Sequence, residues 1–222
     1  MKKALILIAL NFIVLTTMAQ RISIESIETR LLTNQGVEFV GKVIEEKNDL
    51  NLFPTWNNKG ILFYNDKEYQ ISNLNYNISE NKVSCQLKNG EYFLFRSADI
   101  PSFSINNKLF KKNGRSYFEV LLEEKDTYFY KRYDVRYKDG VKHRMGGGTV
   151  NPSRFVISYS YLIKSGDITK TLESNKKSIL EFFESQQTVL KKFVKDNKLS
   201  YKKENDLVKI IRYMLKKANQ LV

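Results

Sequence analysis

The single histidine of this 222-residue chain, His143, stands in HRMGGGTVNPSRF, residues 143 to 155. The same stretch holds the only run of three glycines, with Arg144 and Arg154 on either side of them. Most hydrolytic triads and zinc sites require histidine, so a cluster of several histidines around a metal is excluded and any His-dependent triad must rest on His143. A phosphate-cradling loop takes its anion on backbone amides where a strand passes into a helix. Here Gly146-Gly147-Gly148 lie between two strand candidates, no helix follows, and Pro152 lacks an amide donor, so a nucleotide site is not expected. With Lys138-Asp139-Gly140 upstream, residues 138 to 153 read as a long hairpin connection to which Lys142, Arg144 and the adjoining Arg154 lend positive charge.

No other motif supplies a reaction. HExxH, GxSxG, the P-loop pattern and zinc-type His/Cys spacing are all missing from the sequence. Glu45-Glu46 and Glu123-Glu124 are adjacent carboxylates, but neighbours on a strand point to opposite faces, so neither pair shares a site while extended. Cys85 alternates with Val83 and Leu87 in KVSCQL, which reads as a buried apolar position on a strand rather than a reactive thiol. An enzyme, a metal and a cofactor are not expected. One cysteine also excludes an internal disulfide, so packing must hold the fold together.

The elements that would position any site are mostly strands. GVEFVGKVI places Val37, Phe39 and Gly41 on one face, and KGILFYNDKEYQI reads as a hairpin turning at Asn65-Asp66. Tyr69 and Ile71 share one phase while Leu74, Tyr76 and Ile78 share the other, which predicts a bulge or break near Ser72-Asn73. Asn89-Gly90 is the preferred pair for a type I′ turn in KVSCQLKNGEYFLF. RSYFEVLLEE is expected to direct Phe118, Val120 and Leu122 inward, with a turn at Lys125-Asp126 before TYFYKRYDVRY. RFVISYSYLI lines one face with Phe155, Ile157, Tyr159, Tyr161 and Ile163. Seven to nine such strands with short connections predict one curved antiparallel sheet, a half-barrel or an open sandwich.

After Gly166-Asp167 the period becomes helical. NKKSILEFFES, TVLKKFVKDN and ENDLVKIIRYMLKKA carry apolar stripes, the last from Leu207, Ile210, Ile211, Met214 and Leu215. A stripe of this kind needs a surface to cover it, so a tail of two or three helices is expected to pack on the sheet. The fold class expected is therefore α+β, mainly β. It divides into a leader at residues 1 to 19, a β domain at 20 to 166 and a Lys-rich tail at 167 to 222.

MKKALILIALNFIVLTTMA reads as a secretory leader, with Lys2 and Lys3 before an apolar run that Asn11 keeps too short for a membrane span. No cysteine follows the expected cleavage point, so the product is expected to be exported, periplasmic or secreted, not a lipoprotein, and without a membrane span. The formal charge is +13, and residues from Lys170 onward carry +7 of it. Such a tail is a solvated face or a surface for polyanions, lipid headgroups among them, and Lys191, Lys192, Lys195, Lys216 and Lys217 are its candidate contacts. Specific nucleic-acid recognition is not expected.

Tyr and Phe together number 27 residues, many in consecutive pairs that put one ring on each face of a strand. A concave sheet lined by Tyr128, Tyr130, Tyr159 and Tyr161 would suit a lipid or another partly apolar ligand; the same face would equally serve as the seat of the tail. KGILFYNDKEYQISNLNYNISENKVSCQL together with the Lys-rich tail resembles a family of uncharacterised exported proteins from Bacteroidetes, which share a leader, a Tyr-Asn-Ile step like Tyr76-Asn77-Ile78 and a helical tail. The resemblance implies an envelope or secreted location and brings no catalytic residues. The expectation is an exported, non-enzymatic envelope protein that binds a partner protein or a partly apolar ligand. The alternative is a polyanion or membrane-surface binder acting through the basic tail.

Overall fold

The computed structural model describes residues 29–32, 37–44, 50–142 and 149–218. The leader, Glu45-Glu46, His143 and Gly146-Gly147-Gly148 lie outside the described residues. In chain order the strands are β1 (Thr29–Leu32), β2 (Glu38–Ile44), β3 (Lys59–Tyr64), β4 (Lys67–Ser72), β5 (Leu74–Asn77), β6 (Lys82–Gln86), β7 (Tyr92–Phe95) and β8 (Ser102–Ile105). They continue as β9 (Lys108–Asn113), β10 (Ser116–Glu124), β11 (Thr127–Lys138), β12 (Val141–Lys142), β13 (Thr149–Asn151), β14 (Arg154–Ser165) and β15 (Ile168–Leu172). Three helices follow: α1 (Lys176–Phe182), α2 (Gln187–Asp196) and α3 (Glu204–Ala218).

The mainly-β class with helices packed after the strands is observed, and the strands divide between two open antiparallel sheets. One has the order β1-β2-β7-β6-β5, the other β15-β14-β11-β10-β9-β8-β3-β4, and β12 pairs with β13 alone. The β region thus runs on to Leu172.

Local chemistry accounts for the turns. Asn65 and Asp66 both have positive φ, as do Asn106 and Asn107, so each pair closes a two-residue type I′ hairpin. Asn89-Gly90 differs from expectation: of the two only Gly90 has positive φ. Leu87 and Glu91 face each other across a three-residue loop, with the Gly90 amide donating to the Leu87 carbonyl. That is a type I turn followed by a left-handed glycine. The break near Ser72-Asn73 is present. Asn73, at φ 57°, carries the chain from the second sheet to the first, so Tyr69 and Ile71 on one side and Leu74 and Tyr76 on the other reach the same core.

That core lies between the sheets. Phe103 and Phe110 stack at 4.8 Å with Tyr76 and Tyr117 against them. The Tyr117 hydroxyl donates to the Ile100 carbonyl at 2.8 Å, which satisfies the one polar atom its burial would otherwise strand. Cys85 is buried with them, and burial pushes its thiol up to about 12, so it is inert at neutral pH. Asn75, in the fully buried β5, ties down the segment before β3 by accepting from the Phe53 amide and donating to the Phe53 carbonyl.

The expectation for β10 needs correction. Tyr117 and Glu119 face the main core side, while Phe118 and Val120 lie on the other face with Tyr130 and Leu162. A register shift between Val120 and Leu122 then returns Leu122 to the helix side. Both faces of β10 are covered, so an alternation of apolar residues does not reveal which face is inward.

The second core joins Leu122, Phe129, Tyr161, Ile163 and Leu172 of the sheet to Ile179, Leu190, Val194, Leu207, Ile210, Ile211 and Met214 of the helices. The tail therefore docks through its stripes, as expected. Asn175 caps α1 by accepting from the Ser178 amide, and Phe193 of α2 stacks on Tyr213 of α3 at 3.8 Å. Among the described residues no helix is long and apolar enough to cross a membrane.

Candidate functional site

Strands β11 and β14 pair over twelve residues, but their outer neighbours stop early. Strand β10 covers β11 only from Thr127 to Lys131, and β15 covers β14 only from Tyr161 to Ser165. Residues 132–138 and 154–160 therefore form a two-stranded arm about 24 Å long, which β12 and β13 extend. Two strands alone are marginal in water. The arm is held at its root, where Tyr133, Val135 and Ile157 pack against the first core.

Register divides the arm into two chemistries. One face carries Tyr133, Val135 and Tyr137 opposite Tyr159, Ile157 and Phe155. At the root Tyr159, opposite Tyr133, is 54% exposed, and beyond it Tyr137 and Phe155 are open to solvent at 59% and 60%. Tyr137 and Phe155 meet edge-on at 5.4 Å. The other face carries Arg132, Asp134, Arg136 and Lys138 opposite Ser160, Ser158, Val156 and Arg154. Arg132 pairs with Asp134, whereas Arg136, Lys138 and Arg154 have no ion-pair partner among the described residues.

A buried polar cluster fixes the point where the arm leaves the sheet. Glu119 and Lys131 are cross-strand neighbours, yet each is held by other partners. Glu119 accepts from Lys108 Nζ at 2.6 Å and from the Tyr133 hydroxyl. Glu204, in the first turn of α3, accepts from Lys131 Nζ at 2.7 Å and from the Tyr161 hydroxyl at 2.9 Å. Lys131 Nζ also lies 4.2 Å from the centre of the Tyr159 ring, a cation–π contact that joins the cluster to the aromatic row. Burial, reinforced by the neighbouring carboxylates, holds the Tyr133 and Tyr161 phenols well above their usual range. Burial alone would raise Glu204, but the hydrogen bonds from Lys131 and Tyr161 outweigh it and hold the carboxyl below the usual range.

A groove of about 530 Å³ opens beside this cluster, lined in part by Lys108, Glu119, Glu204, Lys209 and Arg212. Each carboxylate is engaged by a lysine and a tyrosine, Glu119 through both oxygens and Glu204 through Oε2 alone, an arrangement that suits a structural clasp. Among the described residues no group of His, Cys, Asp and Glu is placed to hold a metal ion. Glu123 pairs with Lys111 and Glu124 with Arg212, so that adjacent pair is split between partners on different elements.

The four expected tyrosines do not share one surface. Tyr159 and Tyr161 lie on the aromatic face, and Tyr161 is buried under the tail. Tyr128 and Tyr130 lie on the opposite face, stacked at 5.3 Å beside Phe118 and Leu162, and burial pushes Tyr130 up to about 12. The ladder of β11 with β14 decides this, because TYFYKRY offers rings in both phases.

The expected lysines also separate. Lys191 and Lys195 line a groove of about 510 Å³ with Lys176, Lys198 and Tyr201. Lys192, Lys216 and Lys217 are exposed elsewhere on α2 and α3. Tyr137, Arg136 and Lys138 of the arm, and Glu119, Lys131 and Glu204 at its root, were not among the expected site residues. The alternation in RYDVRYK, residues 132 to 138, was the available signal, because it puts tyrosine and cation on opposite faces once the segment is read as one long strand. Comparison of the chain with family models, with curated proteins and with solved structures gave no match.

Proposed function

We propose that this is an exported, non-enzymatic binding protein of the cell envelope, and that it docks a partner through the arm of β11 and β14. The observation that carries the reading is the exposed row of Tyr137, Phe155 and Tyr159, contiguous with Val135 and Ile157 on one face. Single exposed apolar residues are ordinary, but Tyr137 and Phe155 form an exposed ring pair beyond the core-packed root of the arm, and with half-exposed Tyr159 they present an aromatic face that suits recognition. The leader and the family resemblance support the location. The test is a photoreactive phenylalanine analogue at position 155, irradiated in the cells that make the protein. A discrete protein adduct is expected there and none from the same analogue at Val189, exposed on α2; no adduct at 155, or equal labelling at both positions, would overturn the reading.

A second reading rests on the groove where Lys176, Lys191, Lys195 and Lys198 converge. Four like charges around one groove would attract a polyanion in a salt-dependent way. Lys191→Ser with Lys195→Ser is expected to weaken heparin binding about tenfold at low salt, reflecting about 1.4 kcal/mol. Lys216→Ser with Lys217→Ser should leave it near wild type. Equal losses from the two pairs would mean that charge alone, not the groove, binds heparin.

A further inference from the structure

We infer that the open edge of β14, from Arg154 to Ser160, accepts an added strand from a partner protein whose contacting segment alternates apolar and acidic residues. The inference deepens the reading of the arm as the docking element and rests on it. Strand β15 occupies this edge only as far as Leu172 opposite Tyr161, where the chain turns away towards α1. Beyond that point no strand pairs with the edge among the described residues. In an antiparallel ladder alternate residues direct both N–H and C=O outwards, so the stretch presents a ready template.

The composition of the edge supports the same conclusion. Natural sheets protect open edges with charges, proline or bulges. Strand β4, an outer strand of the same sheet, carries Lys67 and Glu68, and β15 carries Lys170. Residues 155–160 read Phe-Val-Ile-Ser-Tyr-Ser, with no charge, proline or glycine. Such an edge is exposed to aggregation unless a partner covers it.

The two faces then specify the partner. A strand running antiparallel to β14, on the line of β15, would set alternate side chains beside Phe155, Ile157 and Tyr159. The others would lie beside Arg154, with Arg136 and Lys138 one strand further on. The first set is apolar by complementarity and the second acidic. A second copy of this chain fits poorly, because its net charge is +13 and the arm tip is itself cationic. Backbone hydrogen bonds would supply affinity and the alternating side chains specificity.

The experiment uses the full chain and a nine-residue peptide of alternating Glu and Val or Tyr, read by amide hydrogen exchange. Exchange at residues 154–160 is expected to slow at least tenfold. Methylating alternate peptide nitrogens, so that the backbone donors facing the protein are lost, is expected to weaken binding at least tenfold, as is Arg154→Glu. Unchanged exchange at 154–160, or equal binding by the methylated peptide, would overturn strand addition. Protection of the same amides by vesicles of phosphatidylcholine and phosphatidylglycerol without peptide, or by raising the protein concentration alone, would overturn the assignment to a partner protein. An adduct at position 155 in cells without edge protection by the peptide would sink this inference alone. No adduct at 155 would sink the reading beneath it.

Discussion

Phe129→Ala is expected to destabilise the protein by about 3–5 kcal/mol, whereas Phe155→Ala is expected to stay within about 0.5 kcal/mol of wild type. Phe129 is 0% exposed and stands where β11 meets the tail, its ring 5.5 Å from that of Tyr161. Leu207, Ile210, Ile211 and Met214 of α3 and Leu190 and Val194 of α2 share the same core. Truncation removes a buried ring and leaves a cavity that the helices cannot close freely, because short connections hold α1, α2 and α3 in place. For a chain of this size the loss corresponds to roughly 6–20 °C in Tm. Urea unfolding followed by circular dichroism measures both variants. A loss under 1 kcal/mol for Phe129→Ala would mean that the tail is not seated on the sheet through this core. A loss above 1 kcal/mol for Phe155→Ala would make the arm's aromatic row a stabilising feature and remove the argument for docking.

The contrast between these two phenylalanines marks how much was legible in the sequence. The helical stripes from Leu190 to Met214, the hairpin at Asn65-Asp66, the break at Asn73 and the burial of Cys85 follow from local chemistry and periodicity, and they appear where expected. RFVISYSYLI likewise puts Phe155, Ile157, Tyr159, Tyr161 and Ile163 on one face. What covers that face was not legible. Ile163 and Tyr161 lie under the tail, Ile157 rests on the first core, and Phe155 meets solvent, because burial depends on how far β10 and β15 extend beside the ribbon. Strand ends are set by tertiary pairing, which no pattern within one strand encodes. The same limit hid Glu119, whose strand is covered on both faces, and it joined Tyr128 and Tyr130 to Tyr159 and Tyr161 on one imagined surface.

The clasp at the root of the arm yields the second large effect. Glu204→Ala is expected to cost about 2–4 kcal/mol, because it strands the Lys131 ammonium, which is buried, and removes the acceptor of the Tyr161 hydroxyl. The value falls short of a fully buried pair because the Glu204 side chain keeps 29% of its exposure. Removing both charges should recover most of the loss, so Lys131→Met combined with Glu204→Leu is expected to lie within about 1.5 kcal/mol of wild type, since a buried pair offsets much of its own desolvation. The pH dependence separates this electrostatic role from simple packing. The Glu204 carboxyl titrates lower in the folded protein than its ordinary 4.5, so the unfolded chain takes up its proton first as pH falls. Its contribution is fully present above pH 4.5 and is lost as pH drops through the lower folded value. The stability gap between wild type and Glu204→Gln should accordingly be widest near neutrality and narrow in acid. Urea midpoints for both proteins at pH 7 and pH 3 measure it, and a gap independent of pH would show that Glu204 acts by shape rather than by charge.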